Sequence, residues 1–345
     1  MKVWQKLSLI IGMLLVGITA AKMPVWANPS QDGTNPAVEY NDPNASSQAT
    51  SNQDNNWQKP VVTLGVSLTP EQRQQTIATL TQSLDGASYD TLPVNGATLV
   101  KYLNPAGDDF TNSSPVWSSA MVQKTNSGGI NVHILKFHGH DNITTITADQ
   151  YRNAAITAGV TNANIYVTSA VPIDGSGALA GVYAAFAQNG DALNQQQITA
   201  AQDEVKTLSG ITQANKNKQG YTDAQLNHAV AGMKAEMARQ SNNGQQTLSQ
   251  NQIGNIVDSQ LKDNQIAGVI NNNQRTQIIN LLVKIQASGA LKKASFKNQA
   301  NKLSTSIRNG AKKIFDEINT PQAHNWFAQL WQNIVNFFQN LFGNN

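Results

Sequence analysis

The chain has 345 residues, 24 Lys and Arg against 21 Asp and Glu, and no cysteine. The lack of cysteine excludes a disulfide framework, cysteine-thiolate catalysis and cysteine-ligated zinc, so the folded part relies on an ordinary core or on partners. Charge changes sign along the chain: residues 61–205 hold five basic residues against eleven acidic, and residues 206–345 hold fifteen against six, which points to two domains with different partners.

Residues 1–27 read as an export signal. Lys2 and Lys6 give a positive start, Leu7 to Ala21 is an apolar run, and Val25 and Ala27 flank Trp26 as the small residues of a cleavage site. The apolar run, about 15 residues, is short of the roughly 20 needed to cross a bilayer. Cleavage after Ala27 is therefore expected. The basic residues Lys2, Lys6 and Lys22 would leave with the leader, and the remaining chain would be formally neutral. Residues 28–60 are rich in Asn, Gln, Ser, Asp and Pro and have few bulky apolar side chains, so they read as a disordered spacer. Trp57 reads as the edge of the folded part.

From Val61 the pattern is that of an α/β domain spanning 61–190. Val61 to Val66 is a β-branched run, and Thr69-Pro70-Glu71-Gln72 combines a cap, a proline at the first helical position and a closing glutamine. Val116 to Val122 and Ile130 to Phe137 read as a strand pair joined by a turn near Asn126 to Gly129. Thr147 to Gln150 opens a helix that Gly159 ends, Ala163 to Ala170 reads as a strand, and Ala178 to Ala187 as a helix of small residues. A mixed sheet with helices packed on it follows.

Strand signals stop after about Gln188. Leu226, Val230, Met233 and Met237 share one helical face behind a capping box at Thr222 to Gln225, and Ile278, Leu281, Leu282 and Ile285 form a second stripe. Residues 191–318 are thus expected to be helical, which makes the fold class α+β. In residues 319–345, Trp326, Phe327, Trp331 and Phe338 recur at the spacing of an amphipathic helix, opposite a face of Asn and Gln.

The segments Gly65 to Arg73, Ser118 to Ala120, Gly129 to Val132, Asn142 to Thr144, Asn153 to Gly159 and Gly175 to Gly181 resemble an exported family of Gram-positive bacteria known as domain of unknown function 1002. The resemblance implies export and a shared fold, and brings no catalytic residue with it. It also sets His138 and His140 in a stretch that varies within the family.

Three groups of residues are candidates for chemistry. Asp174-Gly175-Ser176-Gly177 lies where a strand passes into a helix, so free backbone N–H groups are expected there that would hold a phosphate or carboxylate, although neither a P-loop nor a nucleophile elbow is present. Gly175, Ser176 and Gly177, and separately Ser118 and Ser119 on the expected strand after Trp117, are the candidate ligand-binding residues; helix-to-strand packing by the glycines and backbone hydrogen bonds by the serines are the structural alternatives. His133, His138 and His140 fall within eight residues and are weak zinc candidates, because five-residue spacing on one strand turns His133 and His138 to opposite faces. Finally, Lys292, Lys293, Lys297, Lys312 and Lys313 lie in a stretch free of acids, directly before the aromatic segment. That combination suits contact with anionic lipid or a cell-wall polyanion; docking on the protein's own core and self-association are the competing uses of the aromatic face.

The expected function is that of an exported, nonenzymatic protein held noncovalently at the cell envelope, with no cofactor, no metal and no nucleic acid partner. An envelope-directed hydrolase built around Ser118, Ser119, Ser176, His138 or His140 stands as the alternative. Convergence of an acid and a histidine on one serine would favour it.

Overall fold

The computed structural model describes residue 57 and residues 59–190, 193–293, 295–303 and 305. The expected leader, most of the expected spacer, Lys312, Lys313 and the aromatic segment with Trp326, Phe327, Trp331 and Phe338 lie outside the described residues.

Strand β1 (Val61–Gly65) leads into helix α1 (Pro70–Thr81), and the capping box at its start forms as the sequence requires: the Gln72 N–H donates to Thr69 Oγ1 while Gln72 Oε1 accepts from the Thr69 N–H. Strand β2 (Asp90–Val94) and helix α2 (Gly96–Tyr102) follow, then strands β3 (Ser118–Lys124) and β4 (Ile130–Ile134). Helix α3 (Ala148–Ala158) starts at a second capping box, Thr147 with Gln150, and stops at Gly159, whose φ of 91° is one that a residue with a side chain rarely adopts. Strand β5 (Ala163–Ser169) and helix α4 (Ser176–Gln188) complete the sheet region.

The five strands are ordered β2-β1-β3-β5-β4, and β3 runs against the other four. The expected pairing of the two central hydrophobic runs is corrected here. β3 and β4 do not pair; β5 lies between them, antiparallel to β3 and parallel to β4. Ala163, Ile165 and Val167 of β5 are buried, and a strand with such a continuous apolar face is accommodated better inside the sheet than at its edge.

Alternation along the strands feeds two cores. Val62, Leu64 and Met121 pack with Ile77 and Leu80 of α1 on one face, while Val61, Ala120, Val122, Ile165 and Val167 face the other helices. That larger core continues without a break through helices α5 (Gln195–Asn215), α6 (Asp223–Gln240), α7 (Gln250–Asp263) and α8 (Asn272–Ala287) to Phe296 and Leu303. Both apolar stripes expected in the helical region are buried within it. Trp57 packs edge-on against Phe186, with ring centroids 4.7 Å apart.

Candidate functional site

The carboxyl ends of β1, β2, β4 and β5 meet the start of β3 at one end of the sheet, the location where ligands bind in many open α/β sheets. Ser118, Ser119 and the Gly175 to Gly177 turn do gather there. Ser118 Oγ accepts the Ala178 N–H at 2.9 Å, and Ser119 Oγ accepts the Gly65 N–H at 3.1 Å, both in buried surroundings. The Ser176 N–H donates to Asp174 Oδ1 at 2.9 Å and Ser176 Oγ donates to Asp174 Oδ2 at 2.7 Å. The N–H groups of Ser176 and Ala178 are therefore taken, not free as the sequence suggested, because Asp174 and Ser118 supply acceptors from within the protein.

The glycines of this turn are explained by space. A Cβ on Gly177 would lie 2.6 Å from Val116 Cγ1 and 2.7 Å from Ser118 Oγ, and one on Gly175 would collide with the Tyr151 hydroxyl. That hydroxyl donates to the Gly175 carbonyl at 2.7 Å. Sequence reading did not single out Tyr151, since a buried tyrosine in a helix carries no pattern of its own. Its phenol is pushed well above the ordinary value by burial and by the charge of Asp174.

The histidines do not converge. His133 is on β4, stacked on Tyr166 with ring centroids 5.0 Å apart, and its pKa is lowered by burial and by Arg152. The expectation that His133 and His138 share one strand is corrected, since β4 ends at Ile134. His138 and His140 belong to a tight turn in which Phe137 and His140 exchange backbone hydrogen bonds, and His138 stacks on Phe137. Among the described residues, no group of three or more His, Asp or Glu is placed to hold a metal ion.

The basic stretch presents a different surface. Leu291, Phe296 and Leu303 are buried, anchoring the segment, while Lys292, Lys293 and Lys302 are exposed and Lys297 is half-buried. Elsewhere Lys136, Lys206, Lys234 and Lys284 each pair with a carboxylate. None of the four lysines in this stretch is in an ion pair among the described residues. Helix 295–303 lies over the start of β4 and β5: Gln299 Nε2 donates to Asn162 Oδ1 at 3.3 Å, and Gly129 faces the stem of Lys302. Lys124, at the far end of β3, is at the same end of the sheet, six positions from Ser118 and thus about 20 Å away along the strand. The two candidate regions therefore occupy opposite ends of the sheet.

Two cavities flank the basic segment. One, of about 650 Å³, is lined by Asn243, Gly244, Gln245, Lys292, Lys297 and Asn298. The other, of about 300 Å³, has Lys124, Gly159, Thr161, Asn194, Gln197 and Lys293 in its lining. Gly244, at φ 74°, shapes the first: its α-carbon comes so close to the Lys292 stem that a Cβ would lie 2.9 Å from Lys292 Cγ.

A family profile described as "Protein of unknown function (DUF1002)" matches residues 64–303, from the end of β1 through the basic helix. The chain belongs to this family. Strands β2 to β5, the end of β1, helices α1 to α8 and the lysines up to Lys302 lie within the matched extent. The chain is also 27% identical over 289 residues to the "Uncharacterized protein YpuA" of Bacillus subtilis (strain 168), covering 81% of this chain and 89% of the relative. No solved structure matches the chain.

Proposed function

We propose that this chain is an exported, nonenzymatic binding protein held noncovalently at the cell envelope by its basic C-terminal region, which meets an anionic lipid or wall polymer. One observation carries the reading. Lys292, Lys293, Lys297 and Lys302 form an edge without ion pairs among the described residues, on a segment anchored by buried apolar side chains. Clustered positive charge on a rigid support attracts polyanions at a range set by the Debye length, about 8 Å at physiological salt. The aromatic segment that follows would add apolar contact at an interface. The hydrolase alternative draws no support from its serines, since Ser118 and Ser119 hold backbone amides and Ser176 holds Asp174.

Co-sedimentation with anionic vesicles, neutral vesicles and purified cell walls tests the proposal, using the protein beside a form ending at Asn319 and a form with all four lysines changed to glutamine. Salt-sensitive binding to an anionic target that the lysine variant loses supports it. Equal sedimentation of all three forms sinks it.

A further inference from the structure

The basic segment shares its end of the sheet with both continuations of the chain. Residues 1–56 lead into Trp57, which packs on Phe186 in the last turn of α4 and holds the Lys124 ammonium 5.8 Å from its ring centroid. Lys124 is the last residue of β3, so the chain enters the fold where β3 stops. The described chain ends at Thr305, three positions beyond Lys302, whose stem faces Gly129 at the start of β4. Residues 306–345 follow. At the same end, the loop from β3 to β4 exposes Asn126, Ser127 and Gly128. Lys124 is engaged, so the unpaired positive charge here comes from Lys292, Lys293, Lys297 and Lys302 among the described residues. Asp85 and Asp90, acids at this end, sit by β2, the edge strand farthest from β4. The opposite end has no such excess. There Lys136 pairs with Asp141 and Arg152 with Asp149, and Lys216 and Lys218, just past α5, are matched in number by Asp174 and Asp223.

We infer that this end of the sheet is a membrane-facing surface, which lays the β3–β4 loop and the four lysines against an anionic lipid bilayer and turns the Ser118 and Gly175 end away from it. The inference rests on the reading that the basic end binds an anionic envelope component; it selects lipid over wall polymer and adds an orientation. Charge favours the contact, because an anionic leaflet attracts lysines held near its surface. The course of the chain favours it too. Neither continuation has to cross the fold to reach a surface lying at this end, and the one after Thr305 carries Trp326, Phe327, Trp331 and Phe338 at amphipathic spacing. Such a face gains by entering the headgroup boundary of a bilayer, whereas a hydrated wall polymer offers it no apolar phase. Ser118 lies six positions from Lys124 along β3, so the opposite end stands about 20 Å farther from the lipid. That exceeds twice the Debye length of about 8 Å at physiological salt, so charges there contribute little to binding.

Because the chain has no cysteine, one introduced thiol reports its position without background. Ser127→Cys lies in the exposed β3–β4 loop, and Ser113→Cys is exposed at the opposite end, next to the Asn112 carbonyl that abuts Gly96 at the start of α2. Each purified protein carries a fluorophore on that thiol and is mixed with phosphatidylglycerol vesicles that bear a headgroup quencher; purified cell walls serve as the second target. The expected result is loss of fluorescence from the label at 127 and none from the label at 113. Lys293→Gln with Lys302→Gln should lower vesicle affinity roughly 25-fold, from about fivefold for each lysine, while Lys216→Gln with Lys218→Gln should leave it unchanged. Quenching at 113 that equals or exceeds that at 127 overturns the inference and leaves the envelope reading standing, as does a loss in the Lys293 and Lys302 variant no greater than in the Lys216 and Lys218 variant. Binding to cell walls with none to vesicles does the same. Binding to neither target overturns both.

Discussion

Lys234 Nζ lies 2.9 Å from Glu204 Oε1, and both side chains are wholly buried. The ammonium also donates to the Asn153 carbonyl at 2.9 Å and approaches Thr157 Oγ1 at 3.4 Å; Thr157 in turn donates to Glu204 Oε2 at 2.5 Å. This knot joins α3, α5 and α6. Taking two charges out of water costs several kcal/mol each, and the arrangement persists because every polar atom of the pair is given a partner.

Removing one partner should therefore be severe. Lys234→Met leaves Glu204 buried without its counter-ion and is expected to cost about 3–5 kcal/mol, whereas Lys234→Met combined with Glu204→Leu should recover most of the loss. Urea denaturation midpoints of the single and double variants check this.

Glycine-to-alanine substitutions should have opposite signs at two helical positions. Gly210 in α5 is exposed, with nothing within 4 Å of an added Cβ, so Gly210→Ala should stabilise by about 1 kcal/mol. At Gly177 the added methyl would meet Val116 and Ser118, and overpacking of about 1–3 kcal/mol should outweigh the gain in helix propensity. Thermal unfolding of the two variants reads the difference directly.

Alkaline pH should unfold the protein. Burial raises the phenol pKa values of Tyr151, Tyr183 and Tyr221 above the usual tyrosine range. The native state then keeps protons that the unfolded chain gives up, so stability is fully present below about pH 10 and falls as pH rises further. Lys234, whose pKa burial lowers, works in the opposite sense, its stabilising effect growing with pH until about 10.4. Above that value the tyrosines act alone, and phenolate absorbance from the three should appear only with unfolding. Tyr183 Oη has no hydrogen-bond partner among the described residues. Tyr183→Phe should accordingly stabilise the protein at neutral pH and shift its alkaline unfolding upward.

Two helix caps that look alike in sequence should differ in worth. Thr69 is exposed and serves only its own capping box, so Thr69→Ala should cost about 1 kcal/mol. Thr147 Oγ1 caps α3 and also donates to Asp223 Oδ2 at 2.6 Å, across to the start of α6. A bond to a charged group adds about 1.5–3 kcal/mol, so Thr147→Ala should cost at least twice as much. Denaturant titrations of both variants provide the comparison.

Much of the fold was legible because its signals are local. Thr69-Pro70 and Thr147 mark helix starts through bonds three residues long, Gly159 marks an end through one backbone angle, and Leu226 to Met237 marks a buried face through a period of 3.6. The lysine run was visible in composition alone. Strand order was not, because β5 reaches the place between β3 and β4 only after a helix has intervened, and no neighbouring residues encode that choice.

Spacing and residue type are enough to place four of the five strands, the helices that start at Pro70, Ala148 and Asp223, and the sign of charge in each region; they pass over β2 and α2, which are too short to show a sustained apolar period. Which groups meet is set by the packing of the whole chain. Ser118 and Ser119 became acceptors for Ala178 and Gly65, 60 and 54 residues away, and Lys293 came to share a cavity with Lys124. Such meetings depend on how separate elements bury their apolar faces against one another, a property of the whole core that no local pattern records.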